Sequence, residues 1–120
     1  MSEHIIRRHN KTLLLYHIVL PVRYRREVFT EDVKQTLVNT CKEISLRYEI
    51  NFLEIGTDWD HVHLLVQCLP TDSVSNLVIK IKSLTSKEIF SSNPEVKRKL
   101  WGGKFWTSGF YANTVGAYGS

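Results

Sequence analysis

The chain has 120 residues, which suits one compact domain and leaves no room for a second of ordinary size. With 42% apolar and 23% charged residues, it has the composition of a globular protein with a sizeable core, which argues against a disordered or fibrous chain. A net charge of +4 favours polyanionic partners without requiring them, and two cysteines without a CxxC spacing argue against a disulfide framework.

Residues 1–10 are polar and charged and lack the apolar stretch of a signal peptide. No segment is long and apolar enough to span a bilayer, so a cytoplasmic protein with no membrane contact is expected. Residues 12–20 (TLLLYHIVL) are rich in aliphatic and β-branched side chains and end at Pro21, which predicts a strand inside its sheet. A basic loop follows, with Arg23, Tyr24, Arg25 and Arg26. Thr30 is placed to cap a helix, and Glu31 and Asp32 complement its positive end. Val33, Leu37, Cys41, Ile44 and Tyr48 then recur at helical spacing.

Residues 51–57 (NFLEIGT) and 61–69 read as two strands of a hairpin, joined across Asp58, Trp59 and Asp60. Ser73 opens a second helix with an apolar stripe of Val74, Leu77, Val78, Ile81, Leu84 and Ile89. Lys80, Ser83 and Lys87 fall on its other face. The run Ser91-Ser92-Asn93-Pro94 breaks that helix, and a basic segment, 97–99, leads to a turn at Trp101-Gly102-Gly103. Residues 104–107 and 110–115 predict two short strands joined across Ser108-Gly109. The order β-α-β-β-α-β predicts an α+β, ferredoxin-like (RRM-like) antiparallel sheet with helices on one face.

Successive side chains of a strand point to opposite faces, so His61 and His63 share one face while Val62, Leu64 and Val66 take the other. Two adjacent imidazoles can chelate a divalent cation if a third ligand arrives from elsewhere. An HxH pair alone is a weak pattern, because a strand histidine is more often a hydrogen-bonded, partly buried residue. Asp60 just before the pair and Leu64-Leu65-Val66 after it give the motif more context. A Gly-rich phosphate loop, HExxH, GxSxG and paired histidine-x-threonine motifs are all absent.

DHVHLLV resembles the HUH motif (histidine, hydrophobic residue, histidine) of the single-tyrosine transposases of the insertion sequence 200/605 family. Tyr16-His17-Ile18-Val19 with Tyr24-Arg25-Arg26 is similar to that family's opening strand and basic turn. Ser73-Val74-Ser75, Phe105 to Tyr111 and Thr114-Val115-Gly116 match its second helix and closing hairpin in the same order.

The resemblance implies a DNA transposase that binds hairpin ends of a mobile element and cleaves and rejoins single-stranded DNA. It implies Mg²⁺ or Mn²⁺ held by His61 and His63 with a third polar ligand, and a tyrosine that attacks a DNA phosphate to give a 5′-phosphotyrosine. It also implies a homodimer. In the family a further helix after the TVG block carries the nucleophilic tyrosine and, one turn later, a metal-binding glutamine. The single domain 1–120 is therefore expected to lack that helix, and Tyr118 is only a poor substitute in a segment expected to fray.

For DNA contact, Arg23, Tyr24, Arg25 and Arg26 combine guanidinium groups for phosphates with a ring for an unpaired base. Lys80, Lys82 and Lys87 on the second helix, with Lys104 and Trp106 near the end, are candidates of the same kind. A solvated loop, a charged outer helix face and buried aromatics are the alternative meanings of these residues. Two other functions fit part of the pattern. One is a catalytically inactive, hairpin-binding regulator derived from such a transposase. The other is a ferredoxin-like RNA-binding domain, disfavoured because the third strand carries histidines where that sheet would show aromatics.

Overall fold

The computed structural model describes residues 12–71, 73–100 and 102–118, the last three through their backbone only. The expectations for residues 1–10, Trp101 and the final Gly119-Ser120 lie outside the described residues.

Strand β1 (Leu13–Pro21) leads through a short 3-10 turn (Arg23–Arg25) into helix α1 (Glu31–Arg47). Strands β2 (Ile50–Thr57) and β3 (His61–Cys68) follow, then helix α2 (Val74–Ser92), a short helix α3 (Pro94–Lys99) and strand β4 (Tyr111–Tyr118). The caps sit where the sequence puts them. Thr30 accepts from the Val33 N–H and Ser73 from the Asn76 N–H, each satisfying a donor that the first helical turn leaves free.

The sheet order is β2-β3-β1-β4, with every neighbouring pair antiparallel. Two β-α-β units interleave, so the strands joined by each long helix are separated by one strand of the other unit. That is the expected α+β architecture. Ile18, Leu20, Val62, Leu64 and Val66 point to one face and share a core with Val33, Leu37, Cys41 and Ile44 of α1 and Leu77, Val78, Ile81 and Ile89 of α2. Burial of a side chain of this kind stabilises the fold by about 1.5–3 kcal/mol.

The closing region differs from expectation. Residues 104–107 make only an isolated bridge, Val22 to Trp106, and β4 pairs along the edge of β1 in place of a hairpin with them. Phe105 and Trp106 are buried in the core, so the segment is held by packing and by Lys82, whose Nζ donates to the carbonyls of Thr107 and Gly109. As expected, α2 ends at the Ser91–Pro94 run, with Asn93 as its C-cap, and Pro94 then starts the short α3, because the first helical position needs no N–H donor. The segment expected to fray is strand up to Tyr118.

Candidate metal centre

The face of the sheet opposite the helices carries the histidines. His63 lies across from Val19 of β1 on one side and Gly56 of β2 on the other, and His61 lies across from Pro21. Gly56 has no side chain, so β2 leaves the histidines uncovered. Tyr111 of β4 also faces Val19, which puts it on the same face two strands from His63, 71% exposed.

The two Nε2 atoms are 2.9 Å apart. Two neighbouring ligands of an octahedral Mg²⁺, each at about 2.0–2.1 Å, have nearly this separation. The Asp58 carboxylate adds an oxygen, its Oδ2 being 3.8 Å from His61 Nε2. One ligand atom from each of Asp58, His61 and His63 falls within 4.8 Å of the others. Mixed nitrogen and oxygen donors at this spacing suit a divalent cation.

A second layer of contacts orients the first. His61 Nδ1 donates to Asp60 Oδ1 at 2.8 Å, which leaves Nε2 as the lone-pair nitrogen turned towards His63. Asp60 Oδ2 in turn accepts from Arg25 Nε at 2.6 Å, and the Asp60 carbonyl accepts from the Val22 N–H. Tyr24 and Arg25 adopt φ of 62° and 52°, left-handed backbone that non-glycine residues rarely hold. The strain is small, on the order of 1–3 kcal/mol per residue, and it accompanies the turn that brings Arg25 to Asp60.

Charge follows the same geometry. The Arg25 hydrogen bond, then that from His61, holds the Asp60 carboxyl below its ordinary range although burial opposes the shift. Burial lowers His63, helped by repulsion from His61 and from His17, against a smaller opposing pull from Asp58. The His17 ring stacks on His63 with centroids 5.5 Å apart and 9° between planes. A lowered pKa keeps His63 neutral near pH 7, the form that binds metal.

The remaining expected residues are dispersed. Arg23 and Tyr24 stack, with Arg23 Cζ 5.0 Å from the ring centroid, while Arg26, Lys87 and Lys104 are exposed. Lys80 lies over the Tyr48 ring at 4.3 Å. Lys82 is committed to its two carbonyls. Trp106 is 5% exposed and its indole N–H donates to Thr85 Oγ1 at 3.0 Å, so the ring belongs to the core and is not presented for stacking on a base. The Tyr118 backbone pairs with Leu13, whereas His61 faces Pro21. Eight positions of β1 separate these points, roughly 26 Å at about 3.3 Å per residue.

Asp58, Asp60 and His17 are the functional candidates that sequence reasoning did not assign. Asp58 and Asp60 flank the motif closely enough to have been suspected. His17 had no comparable signal, since only the pairing of β1 with β3 brings it to His63.

Residues 10–120 match the family described as IS200-like transposase. The chain belongs to the IS200-like transposase family. It is 29% identical over 102 residues to the ISDra2 transposase TnpA of Deinococcus radiodurans, spanning 85% of this chain and 73% of that protein. It is 28% identical over 108 residues to the transposase for insertion sequence element IS200 of Salmonella typhimurium, spanning 90% and 71%. A solved structure of a Deinococcus radiodurans transposase superposes with a TM-score of 0.78 at 26% identity, over 87% of this chain and 80% of that one. The fold is also shared with a REP-associated tyrosine transposase bound to a REP hairpin, at a TM-score of 0.59, 15% identity and coverage of 89% and 57%. As an IS200-like transposase the protein belongs among DNA-recombining proteins of insertion sequences. Among the described residues no helix is long and apolar enough to cross a membrane.

Proposed function

We propose that this IS200-like transposase binds a folded single strand of DNA and positions one of its phosphates at His61 and His63 for cleavage and rejoining. The observation that carries the reading is the pair of Nε2 atoms 2.9 Å apart, with the Asp58 carboxylate beside them, on the uncovered face of a transposase fold. His61, His63 and Asp58 would hold Mg²⁺ or Mn²⁺. When bound, the cation supplies positive charge that polarises the scissile phosphate and stabilises charge as it is attacked.

The chain's own residues prepare that site. Asp60 sets the tautomer of His61, Arg25 keeps Asp60 ionised, and His17 supports the His63 ring from its face. In the reaction class implied by the family, a tyrosine oxygen forms a bond to phosphorus as the bond to the 3′ oxygen breaks. The leaving oxygen takes up a proton, the phenol gives one up, and the new phosphotyrosine keeps the bond energy for rejoining. The hairpin in the REP-associated relative, together with the exposed Arg26, Lys87 and Lys104 here, supports a DNA hairpin as the ligand. A homodimer, in which one subunit's histidines meet the other's tyrosine, belongs to the same reading.

A second reading is a hairpin-binding regulator without strand cleavage, in which Tyr118 takes no part in chemistry. Its backbone pairs with Leu13, at the end of the sheet away from His61. Two measurements separate these readings. Calorimetry with Mn²⁺ should show binding that His61→Ala removes, and absence of binding to the unaltered chain overturns the metal site. Incubation with Mn²⁺ and a labelled hairpin should give an SDS-stable protein–DNA adduct under the first reading. Hairpin binding with no adduct supports the second.

A further inference from the structure

The grooves of the molecule differ in charge. One between α1 and α2 mixes Lys42 and Arg47 with Glu43 and Glu88. Another beside β2 mixes Arg47 and Lys80 with Glu49. A third, of about 310 Å³, lies between α2 and the segment before β4 and is lined by Arg23, Lys82, Lys104, Ser83, Ser86 and Thr107, with no carboxylate among its described lining residues. Three cations and four hydroxyls, Ser108 being the fourth, without an acid form a lining for an anion, and the volume is that of a nucleotide-sized ligand.

Arg23 gives the groove a specific demand. Its Nε is buried and has no hydrogen-bond partner among the described residues. An unpaired buried donor is unfavourable, and an incoming acceptor offsets that cost. The guanidinium lies beside Gly102, where a Cβ would come 3.8 Å from Nη2. Gly102 and Gly103 hold φ of 92° and 72°, so glycines form this rim and keep it clear of side chains. Lys82, tied to the carbonyls of Thr107 and Gly109, fixes the opposite wall and adds positive potential. Lys104 is exposed and free to reach outward.

The groove adjoins the histidine site through the end of β1. The Thr107 N–H donates to the Pro21 carbonyl, the Arg23 N–H to the Phe105 carbonyl, and the Val22 N–H to the Asp60 carbonyl. The segment 105–107 therefore lies two strand spacings, about 10 Å, from β3 at Asp60 and His61. The groove opens on the helix side of the same sheet end that bears the histidines on its other side.

We propose that this groove seats the sugar–phosphate backbone of the DNA single strand whose next few nucleotides pass around the sheet end to His61 and His63. Arg23 and Lys104 contact phosphates, and Ser83 and Ser86 donate hydroxyl hydrogen bonds. The assignment rests on the DNA-binding reading above and names the surface that carries it.

The test is fluorescence anisotropy on the full chain with a labelled DNA hairpin bearing an unpaired flank. The variants are Lys104→Ala and Ser83→Asp, both at exposed positions, with Lys97→Ala on α3 as control and circular dichroism to confirm folding. Lys104→Ala should weaken binding several-fold and make the slope of log affinity against log salt shallower by about 0.7–0.9. Ser83→Asp, which sets a negative charge in the groove, should weaken binding by about tenfold or more, on the order of 1.4 kcal/mol. Lys97→Ala should weaken it by less than either, and Mn²⁺ affinity should be unchanged throughout. Normal hairpin binding and salt slope in both groove variants overturns this proposal alone. Failure of the unaltered chain to bind any hairpin overturns the DNA-binding reading together with it.

Discussion

Asp60 Oδ1 lies 2.8 Å from His61 Nδ1, and that contact determines which ring nitrogen is turned towards His63. The carboxylate is almost fully buried and its other oxygen is held by Arg25, so the ring has little freedom to flip. Substituting Asp60→Ala removes the acceptor and frees both tautomers of His61. Mn²⁺ affinity should fall about 10–100-fold, the usual effect of losing an outer-shell partner. Asp60→Asn keeps an acceptor oxygen and should lose less. Equal affinities for Asp60→Ala and the unaltered chain, measured by calorimetry, would show that Asp60 does not orient the ligand.

The same residues set the response to acid. The folded-state pKa of Asp60 is lowered, chiefly by Arg25 and then by His61, so its contribution to stability is present above its unfolded value near 3.8. That contribution is lost as pH falls through the lower, folded value. His63 is also lowered, by burial first, so below its unfolded value near 6.5 the unfolded chain binds more protons than the folded one. Stability should therefore decline in two stages on acidification, one starting below about pH 6.5 and one below about pH 3.8. Urea midpoints measured from pH 7 to pH 3 test this. His63→Gln should abolish the upper stage and leave the lower one.

Trp106 separates a structural role from a binding one. Its N–H donates to Thr85 Oγ1, which donates onward to the Ile81 carbonyl at 2.7 Å, all inside the core. Trp106→Ala should cost about 3–5 kcal/mol of folding stability, as large-to-small core changes do. Trp106→Phe keeps most of the packing and should cost much less, about 1–2 kcal/mol for the lost hydrogen bond and volume. Folded Trp106→Phe should bind a hairpin as the unaltered chain does. A large loss of affinity in that folded variant would restore Trp106 as a DNA contact.

What was legible in the sequence was local. The period-two alternation around Val62, Leu64 and Val66 gives the facing of His61 and His63 without reference to the rest of the chain. Thr30 and Ser73 announce their helices because a cap acts within three residues. Arg25 reaches Asp60 across 35 positions, and no spacing rule covers that distance. The burial of Trp106 depends on Thr85 turning inward from α2, where a hydroxyl gives no hydrophobic signal. Likewise, 104–107 has the composition of a strand, yet β4 takes the edge of β1 and leaves that segment one bridge.

Asp58 offers the most direct test of the metal site, because its side chain is largely exposed and its loss should spare the fold. Its Oδ1 accepts from the Trp59 N–H at 2.9 Å, and its Oδ2 lies 3.8 Å from His61 Nε2. The backbone thus turns the free oxygen to the histidines. Two imidazoles alone suit Zn²⁺ or Ni²⁺, whereas a carboxylate adds the hard oxygen and negative charge that Mg²⁺ and Mn²⁺ prefer. Asp58→Asn should therefore weaken Mg²⁺ and Mn²⁺ by about tenfold or more and Ni²⁺ by less, with thermal stability little changed in metal-free buffer. Mn²⁺ binding followed by electron paramagnetic resonance, with Mg²⁺ and Ni²⁺ as competitors, gives all three affinities. A uniform loss for every metal would point to misplacement of the histidines, and no loss at all would remove Asp58 from the ligand set.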